Sequence, residues 1–206
     1  MVWKMIELRA FRGAAISPHL AEVARLRIRV FREYPYLYDG TEDYESDYLK
    51  SYVRSKAAVV VVAMDSGRVI GASTGLPLTE ADGAFAEPFG KSGLDTREIF
   101  YFGESVLEPG YRGQGIGHRF FDARESHARG LGFKQVAFCS VIRSDDHPLK
   151  PTGYRDHTAF WTKRGFQKHD ELMASLPWKQ IDQPDEVENR LVFWLKELQP
   201  HPGSNL

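Results

Sequence analysis

A glycine-rich turn joins an apolar run to an amphipathic run near the middle of the chain. Residues 98–107 are aromatic and β-branched, which is typical of a buried strand, and residues 117–130 show helical spacing. The turn contains Gly113, Gly115 and Gly117. Glycines let the backbone approach an anion closely, and the free N–H groups of a helix's first turn point at the same spot. The pattern therefore predicts a loop that binds a phosphate or a pyrophosphate.

Two common phosphate-binding motifs do not fit this turn. The dinucleotide fingerprint G-x-G-x-x-G fails, because its last position falls on His118 or Phe120 when counting starts at Gly113 or Gly115. The Walker motif fails as well, because no Gly-Lys-Ser or Gly-Lys-Thr follows the glycines. A phosphate loop of another kind is therefore indicated.

The turn resembles the acetyl-CoA-binding segment of the GNAT N-acetyltransferase superfamily. The resemblance rests on Arg112-x-x-Gly115-x-Gly117, which follows a run ending in Val-x-x-Pro and precedes an amphipathic helix. A second segment, residues 159–166, has an aromatic residue, a basic pair and then Gly-Phe, as at the end of the last helix in many GNAT proteins. The order of predicted elements is similar to the family over about residues 58–195.

The resemblance implies an α/β (α+β) fold with a single GNAT-like domain. Its central sheet would be mixed and mostly antiparallel, with helices on both faces. A splayed strand pair, residues 98–107 and 134–142, would hold the cofactor. The domain is expected to span residues 1–198, with residues 199–206 forming a flexible tail. A chain of 206 residues with 42% apolar and 13% aromatic residues is long and apolar enough for such a core.

Periodicity and turn residues predict the remaining elements. In chain order they are an edge strand at 6–11, a helix capped by Ser17 before Pro18 and running through 21–31, a second helix around Tyr44, Tyr48 and Tyr52, a hairpin of residues 57–64 and 69–74, an inserted loop or short helices at 78–97, and two closing strands at 171–178 and 190–196.

The cofactor-binding residues follow from the resemblance. The pyrophosphate would be held by the arginine and the glycine turn, with His118 close enough in the first helical turn to touch it. Val106 would donate a main-chain N–H to the thioester carbonyl. Asp156 stands where many members of the family have an asparagine that contacts the pantetheine arm of the cofactor. The expected cofactor-binding residues are Val106, Leu107, Arg112, Gly113, Gln114, Gly115, Ile116, Gly117, His118 and Asp156.

Two side chains are candidates for proton transfer. Glu104 lies in an apolar run beside Gly103, where a bulge would open the sheet, and is the expected general base. A structural carboxylate bonded to backbone or to an arginine is the alternative. The family often places its acid, a tyrosine, where this chain has Trp161, and indole cannot protonate a thiolate. Tyr154 is therefore the expected acid, the alternatives being a proton from water or a chain that is no ordinary acetyltransferase.

Two loops are candidates for binding the acceptor. An aromatic loop joins the first two predicted helices, and in GNAT folds this link commonly overhangs the acceptor. A charged loop follows residue 142, where a solvated turn is the alternative. A metal is not expected there, because residues 145–147 are adjacent and their side chains cannot converge. The candidate acceptor residues are Tyr34, Tyr36, Tyr38, Arg143, Asp146 and His147.

Charge and composition limit the partners. The 27 basic and 28 acidic side chains nearly cancel, so neither nucleic acid nor an anionic membrane is expected as a partner. The first residues lack a signal-peptide core and no apolar run is long enough to span a bilayer, so a cytoplasmic location is expected. Cys139 is the only cysteine, and its apolar setting favours a buried structural thiol over a nucleophile.

The expected activity is transfer of an acetyl group from acetyl-CoA to an amine, by direct attack in a ternary complex and with no metal. The acceptor would be a small-molecule amine or a peptide, with the small amphipathic amine favoured by the aromatic loop. Two alternatives stay open: a binding module that retains acyl-CoA without catalysis, and an enzyme using a different acyl donor. A homodimer contact through the last strand, with Phe193 or Trp194 exposed, also stays open.

Overall fold

The computed structural model describes residues 6–199, which form one mixed β-sheet flanked by helices. The seven strands of this range are ordered β1-β2-β3-β4-β5-β7-β6. All neighbours are antiparallel except β4 and β5, which are parallel. The mixed, mostly antiparallel sheet is thereby confirmed. The strands are β1 (Glu7–Phe11), β2 (Val59–Asp65), β3 (Arg68–Pro77), β4 (Ile99–Leu107), β5 (Gln135–Val141), β6 (Gln167–Lys179) and β7 (Glu186–Glu197).

Helices cover both faces of the sheet, as expected. Alternate side chains of β2 show this, because Val60 and Val62 pack with α1 and α2 while Val59 and Val61 pack with α4. Within the described range, no helix is both long and apolar enough to cross a bilayer. The helices are α1 (Leu20–Phe31), α2 (Glu42–Arg54), α3 (Gly83–Ala86), α4 (Ile116–Gly130) and α5 (Thr158–Lys163).

Most of the predicted elements are present within a few residues of their expected bounds, and the 78–97 insertion forms short helices. The predicted cap at Ser17 is wrong. Residues Gly13–His19 form a 3-10 helix that contains Pro18, and α1 begins only at Leu20. The Ser17 carbonyl accepts from the Leu20 amide, so the turn uses the serine's backbone instead of its hydroxyl. Residues 1–5 and the 200–206 part of the predicted tail lie outside the described residues.

A bulge interrupts β4 at the position that the sequence predicted. Ser73 of β3 lies opposite Ser105, whereas Gly75 lies opposite Phe102. Two residues of β4, Gly103 and Glu104, therefore share the space opposite one residue of β3. The glutamate side chain turns to the face of the sheet that α1 and α2 cover.

The β4 and β5 strands separate soon after they meet. They pair only from Ile99 opposite Gln135 to Tyr101 opposite Ala137. Beyond these pairs, residues 102–107 of β4 and 138–141 of β5 have no partner in each other. The expected splay is thereby confirmed, and it leaves a gap between the two strands.

A buried arginine of α4 supports the bulge from the opposite face. Arg124, which is 1% exposed, donates from Nη1 to the carbonyls of Thr74 and Glu104, both at 3.1 Å. Its Nη2 donates to Ser105 Oγ at 2.7 Å. A bulge removes ladder hydrogen bonds, and buried carbonyls need other donors. Burial lowers the Arg124 pKa to about 9, which still leaves the side chain charged at neutral pH.

The bulge leaves no room for a side chain at Gly103. A Cβ there would lie 2.2 Å from Tyr52 Oη and 2.6 Å from Thr74 Oγ1. We expect Gly103→Ala to lower the free energy of unfolding by about 1–3 kcal/mol, the usual cost of overpacking. Gly130→Ala at the end of α4, where a Cβ meets nothing within 4 Å, should be neutral or stabilising by up to about 1 kcal/mol. Denaturant unfolding of both variants checks this, and equal stability would contradict the packing around the bulge.

Candidate active site

The glycine turn opens α4 with the geometry of an anion cradle. Gly113 and Gly115 have φ values of +76° and +79°, which favour glycine, and a Cβ at either would meet nothing within 4 Å. Gly115 is the N-cap of α4, where no side chain caps the helix and no acidic residue occupies the first turn. The N–H groups of Ile116 and Gly117 therefore lie at a helix start that suits an anion.

Arg112 lies at the cradle but has protein partners. Its Nη1 is 2.9 Å from Glu33 Oε2 in the α1–α2 link, and its Nε donates to the Leu107 carbonyl at 3.1 Å. Gln114 folds back, with Nε2 donating to the Gly110 carbonyl at 3.2 Å. The predicted pyrophosphate arginine thus also connects the cradle to the link.

Two predicted cofactor residues are engaged with α5. The His118 ring packs on Phe160 at 4.8 Å, and its Nδ1 lies 3.2 Å from Arg164 Nη1. His118 lies in the first turn of α4, but its ring is directed to α5. The Asp156 carboxylate accepts from the amide and hydroxyl of Thr158, both at 3.0 Å, and so caps the start of α5. These side chains have structural partners that the sequence did not predict.

The unpaired edge of β4 determines which main-chain groups face the gap. The Glu108 amide donates to the Ile70 carbonyl of β3 at 2.9 Å. Hydrogen-bonded pairs alternate along an antiparallel ladder, so the Val106 amide also faces β3, and the amides of Ser105 and Leu107 face the gap. The expected Val106 donor therefore does not fit this register, whereas Leu107, also predicted, does.

Glu104 is buried at the bulge and is held by an arginine. Its Oε2 lies 2.5 Å from Arg27 Nη1 of α1, and the Tyr48 hydroxyl donates to the same oxygen at 3.3 Å. The Glu104 amide donates to Thr74 Oγ1 at 3.3 Å. The sequence analysis gave a structural carboxylate bonded to an arginine as the alternative to a general base. The contact with Arg27 is of that kind, so Glu104 has a structural partner.

The sequence analysis missed Arg27 and Glu45, although a signal was present. Arg27 lies four residues after Val23 on the buried face of α1, and Glu45 lies four residues before Leu49 on the buried face of α2. A charged residue on an apolar helical stripe indicates a buried partner of opposite charge.

Tyr154, Tyr34 and Arg112 line one cavity of about 460 Å³. The two tyrosine rings meet edge to face, with centroids 4.7 Å apart. Burial, together with nearby Tyr34 and Asp156, raises the Tyr154 pKa, which keeps its proton available at neutral pH. The structure thus brings together a predicted acid, a predicted acceptor residue and a predicted cofactor residue.

The remaining residues of the aromatic link pack into the protein. The Tyr36 ring lies 4.5 Å from that of Phe31 and is stacked on Trp178, with centroids 6.1 Å apart. Burial, together with nearby Glu45, raises the Tyr38 pKa. Neither of these two tyrosines lines the cavity.

The charged loop contributes less than expected to the cavity. Arg143 donates to the carbonyls of Pro35 and Tyr36, at 2.7 and 3.1 Å, and so holds the link in place. The His147 ring lies 5.8 Å from that of Tyr34, and exposed Asp146 is bonded by the Ser144 hydroxyl. Within residues 6–199, no three His, Cys, Asp or Glu side chains are grouped so that they could hold a metal ion.

Trp161, at the place of the family's usual tyrosine, packs between β5 and β7. Its ring lies 5.0 Å from Phe138 and 5.1 Å from Trp194. An indole in this position packs against the core and supplies no acid. Phe193 and Trp194 are themselves 0% and 3% exposed, so the expectation that their rings offer a homodimer contact is wrong.

Comparison with known proteins identifies the family. The model of the acetyltransferase (GNAT) family matches residues 23–166, so this chain belongs to that family. A search of curated proteins finds no match.

Solved structures share the fold at low identity. The chain is similar to an N-acetyltransferase of Staphylococcus aureus Mu50, with 14% identity, a TM-score of 0.58, and coverage of 95% of this chain and 99% of the other. It is similar to the ribosomal-protein-alanine N-acetyltransferase of Brucella melitensis, with 14% identity, a TM-score of 0.61, and coverage of 93% and 99%. The YncA protein of Salmonella typhimurium, solved with its cofactor acetyl-CoA, gives 15% identity, a TM-score of 0.58, and coverage of 97% and 98%.

The only cysteine of the chain should be unreactive in the folded protein. Cys139 Sγ lies 3.1 Å from the Tyr101 hydroxyl, and burial raises the Cys139 pKa to about 12. At pH 8 only about one thiol in ten thousand would be ionised, so we expect labelling by a thiol reagent to be at least about a hundredfold slower than after unfolding. Guanidinium-denatured protein, which should release one thiol equivalent per chain, is the control, and fast native labelling would contradict the burial.

Proposed function

We propose that this chain transfers an acetyl group from acetyl-CoA to an amine by direct attack in a ternary complex. One observation carries the proposal: β4 and β5 part beside an uncapped helix start whose glycines leave space for an anion. The gap offers a main-chain edge to an extended arm, and the helix start offers N–H groups to a pyrophosphate. Acetyl-CoA combines both features and supplies the activated acyl group when bound.

The chain's own residues would bind and orient the donor. The amides of residues 113–118 would hold the pyrophosphate, aided by Arg112. The gap-facing amides of Ser105 and Leu107 would bind the pantetheine arm and stabilise negative charge developing on the thioester oxygen. This role depends on main-chain position, so it tolerates many side chains there.

Two side chains would move the protons. Glu104, whose backbone forms the bulge at the edge of the gap, would accept the proton that the attacking amine loses. Tyr154 would protonate the departing thiolate, and its raised pKa keeps it in the protonated form that an acid needs.

The cavity favours a small acceptor. A volume of about 460 Å³ suits a small molecule, and the lining includes tyrosine rings with the apolar side chains of Leu37, Leu149 and Ile181. An amphipathic amine, apolar at one end and protonatable at the other, fits this lining. The Brucella neighbour acts on a ribosomal-protein alanine, but 14% identity supports a shared fold and not a shared acceptor.

Acetyl-CoA should stabilise the protein through the cradle. At a hundredfold excess over its dissociation constant, a ligand adds about 3 kcal/mol of stability, which shifts the melting temperature by several degrees for a chain of this size. Gly115→Asp places a negative side chain in the cradle and should abolish the shift. Gly132→Asp is the matched control, since Gly132 also has a positive φ, of +85°, and lies beyond the opposite end of α4.

Thermal melts with and without acetyl-CoA decide between the outcomes. A shift in the wild type and in Gly132→Asp, but not in Gly115→Asp, supports the cradle. No shift in the wild type would exclude acetyl-CoA as the ligand of this loop. A larger shift with a longer acyl-CoA would instead favour a different donor, and binding without turnover of any amine would favour a binding module.

The acid role predicts a selective loss of rate in Tyr154→Phe. The variant keeps the ring against Tyr34 but lacks the hydroxyl, so kcat should fall by about 10²-fold while the KM for acetyl-CoA stays nearly constant. Thiol release with an accepted amine measures both constants. Tyr44→Phe is the control, because that tyrosine is 60% exposed on α2. An unchanged kcat in Tyr154→Phe would show that the thiolate takes its proton from water.

A further inference from the structure

A cluster of buried charges lies between α1, α2 and the bulge of β4. Arg27, Glu45 and Glu104 are 7%, 0% and 6% exposed. Arg27 Nε donates to Glu45, and Arg27 Nη1 lies 2.5 Å from Glu104 Oε2. One guanidinium is therefore shared by two carboxylates. Burial disfavours the charge on Arg27, but Glu104, Tyr48 and Glu45 outweigh it and raise the Arg27 pKa well above its usual range.

The titratable side chains around the cluster are neutral at neutral pH or directed elsewhere, so the charges of the cluster are those of Arg27, Glu45 and Glu104. Burial raises the pKa of each neighbouring tyrosine and of the cysteine, so all are neutral at neutral pH. Arg124 is charged but directs its donors to main-chain carbonyls, to Ser105 Oγ and away from both carboxylates. The neutral groups are Tyr36, Tyr38, Tyr48, Tyr52, Tyr101 and Cys139.

Stability does not explain two carboxylates on one guanidinium. A buried ion pair is often no more stabilising than apolar residues of similar volume, because desolvation costs several kcal/mol per ion. The second carboxylate adds that cost without adding a second positive charge. Buried charge clusters of this kind occur at functional sites as well as in structural ion-pair networks.

Each carboxylate of this cluster has one buried oxygen without a hydrogen bond among the described residues, Glu45 Oε1 and Glu104 Oε1, and the Glu104 oxygen is the one at the bulge. Glu104 Oε2 is bound by Arg27 and Tyr48, whereas Glu104 Oε1 is buried and makes no hydrogen bond among the described residues. A buried carboxylate oxygen without a partner is uncommon, and at Glu104 it leaves one oxygen able to accept a proton. The arrangement fixes one oxygen of the carboxylate and leaves the other open.

We propose that Glu45 acts through Arg27 as a positioning pair that orients Glu104 and sets its basicity. The inference rests on the proposed role of Glu104 as the general base. Arg27 holds Oε2, so Oε1 is the oxygen left to accept the proton of the amine. Glu45 takes up part of the guanidinium's hydrogen bonding, so Arg27 is fixed from one side by Glu45 while it holds Glu104 on the other.

The proton balance of the step is simple. The amine nitrogen forms a bond to the acetyl carbon, and the bond from that carbon to sulfur breaks. The proton lost by the nitrogen passes to Glu104 Oε1, and the thiolate takes a proton from Tyr154 or from water. Glu45 and Arg27 exchange no proton in this step.

Glu45→Gln and Arg27→Met should shift the pH dependence of kcat/KM in opposite directions. A base works when deprotonated, so activity rises with pH along the acidic limb. Glu45→Gln removes a neighbouring negative charge and leaves Arg27 to Glu104 alone. Both effects favour the ionised form of Glu104, so the acidic limb of kcat/KM should move to lower pH by about one unit. The plateau value of kcat should be lower, because the base is weaker. Arg27→Met removes the positive charge, so the limb should move to higher pH.

The control is a buried carboxylate with no part in the cluster. Glu125 of α4 is 4% exposed and pairs with Arg164 and Lys196, at 2.9 and 2.8 Å, on the opposite face of the sheet. Glu125→Gln should leave the limb in place even if it lowers stability. Shifts of the same sign in Glu45→Gln and Arg27→Met, or no shift in either, would overturn the proposal. If Arg27→Met does not fold, Arg27→Lys replaces it, and its limb should move to higher pH because one ammonium cannot serve both carboxylates.

A double-mutant cycle tests the shared guanidinium without any activity. Glu45→Gln and Glu104→Gln each leave Arg27 with one charged partner, whereas the double variant leaves it buried with none. The denaturant midpoint of the double variant should therefore fall by more than the sum of the two single shifts. Additive shifts would overturn the sharing. Full activity of Glu104→Gln with intact acetyl-CoA binding would instead refute the proposed base, and the cycle distinguishes these two failures.

Discussion

The early end of β4–β5 pairing is the constraint on which the rest of this structure depends. Parallel strands are normally buried and bonded along their length, so parting leaves main-chain donors and acceptors that need partners. On the side of β5 away from β4, β5 remains paired with β7 from Gln135 to Val141. The sheet therefore continues past the gap. An extended ligand with its own amides can complete the free edge of β4.

Two buried arginines hold the bulge of β4 from opposite faces, and they do different work. Arg124 binds main-chain carbonyls on the α4 side and so fixes the path of the strand. Arg27 binds the Glu104 carboxylate on the α1 side and so fixes a side chain. The bulge and the two helices therefore stabilise one another, because neither arginine can be left buried without its partners. The charges at the bulge follow from this mutual dependence.

The sequence predicted the parts of the site whose causes are local. The strand, glycine turn and helix around Gly115 follow from periodicity and from conformations that glycine favours, and the bulge follows from Gly103 beside a polar residue in an apolar strand. Side-chain partners were not predictable in the same way. Arg143 binds a carbonyl 107 residues away, and His118 meets an arginine 46 residues away, so their engagement depends on how distant segments pack. A local rule also failed at Ser17, where a 3-10 turn satisfied the backbone first.

The contact between Arg112 and Glu33 decides how the two halves of the candidate site relate. Both side chains are more than two-fifths exposed, at 44% and 43%, and exposed ion pairs contribute only about 0–1 kcal/mol. A doubly charged pyrophosphate at the start of α4 would offer Arg112 a stronger, charge-assisted contact than one exposed carboxylate. The exchange of Glu33 for a phosphate therefore costs little. The link that carries Glu33 keeps its place meanwhile, because Arg143 donates to its carbonyls independently. The wall of the cavity is thus fixed by the fold, and Arg112, the arginine proposed to bind the pyrophosphate, is the part that is free to change partner.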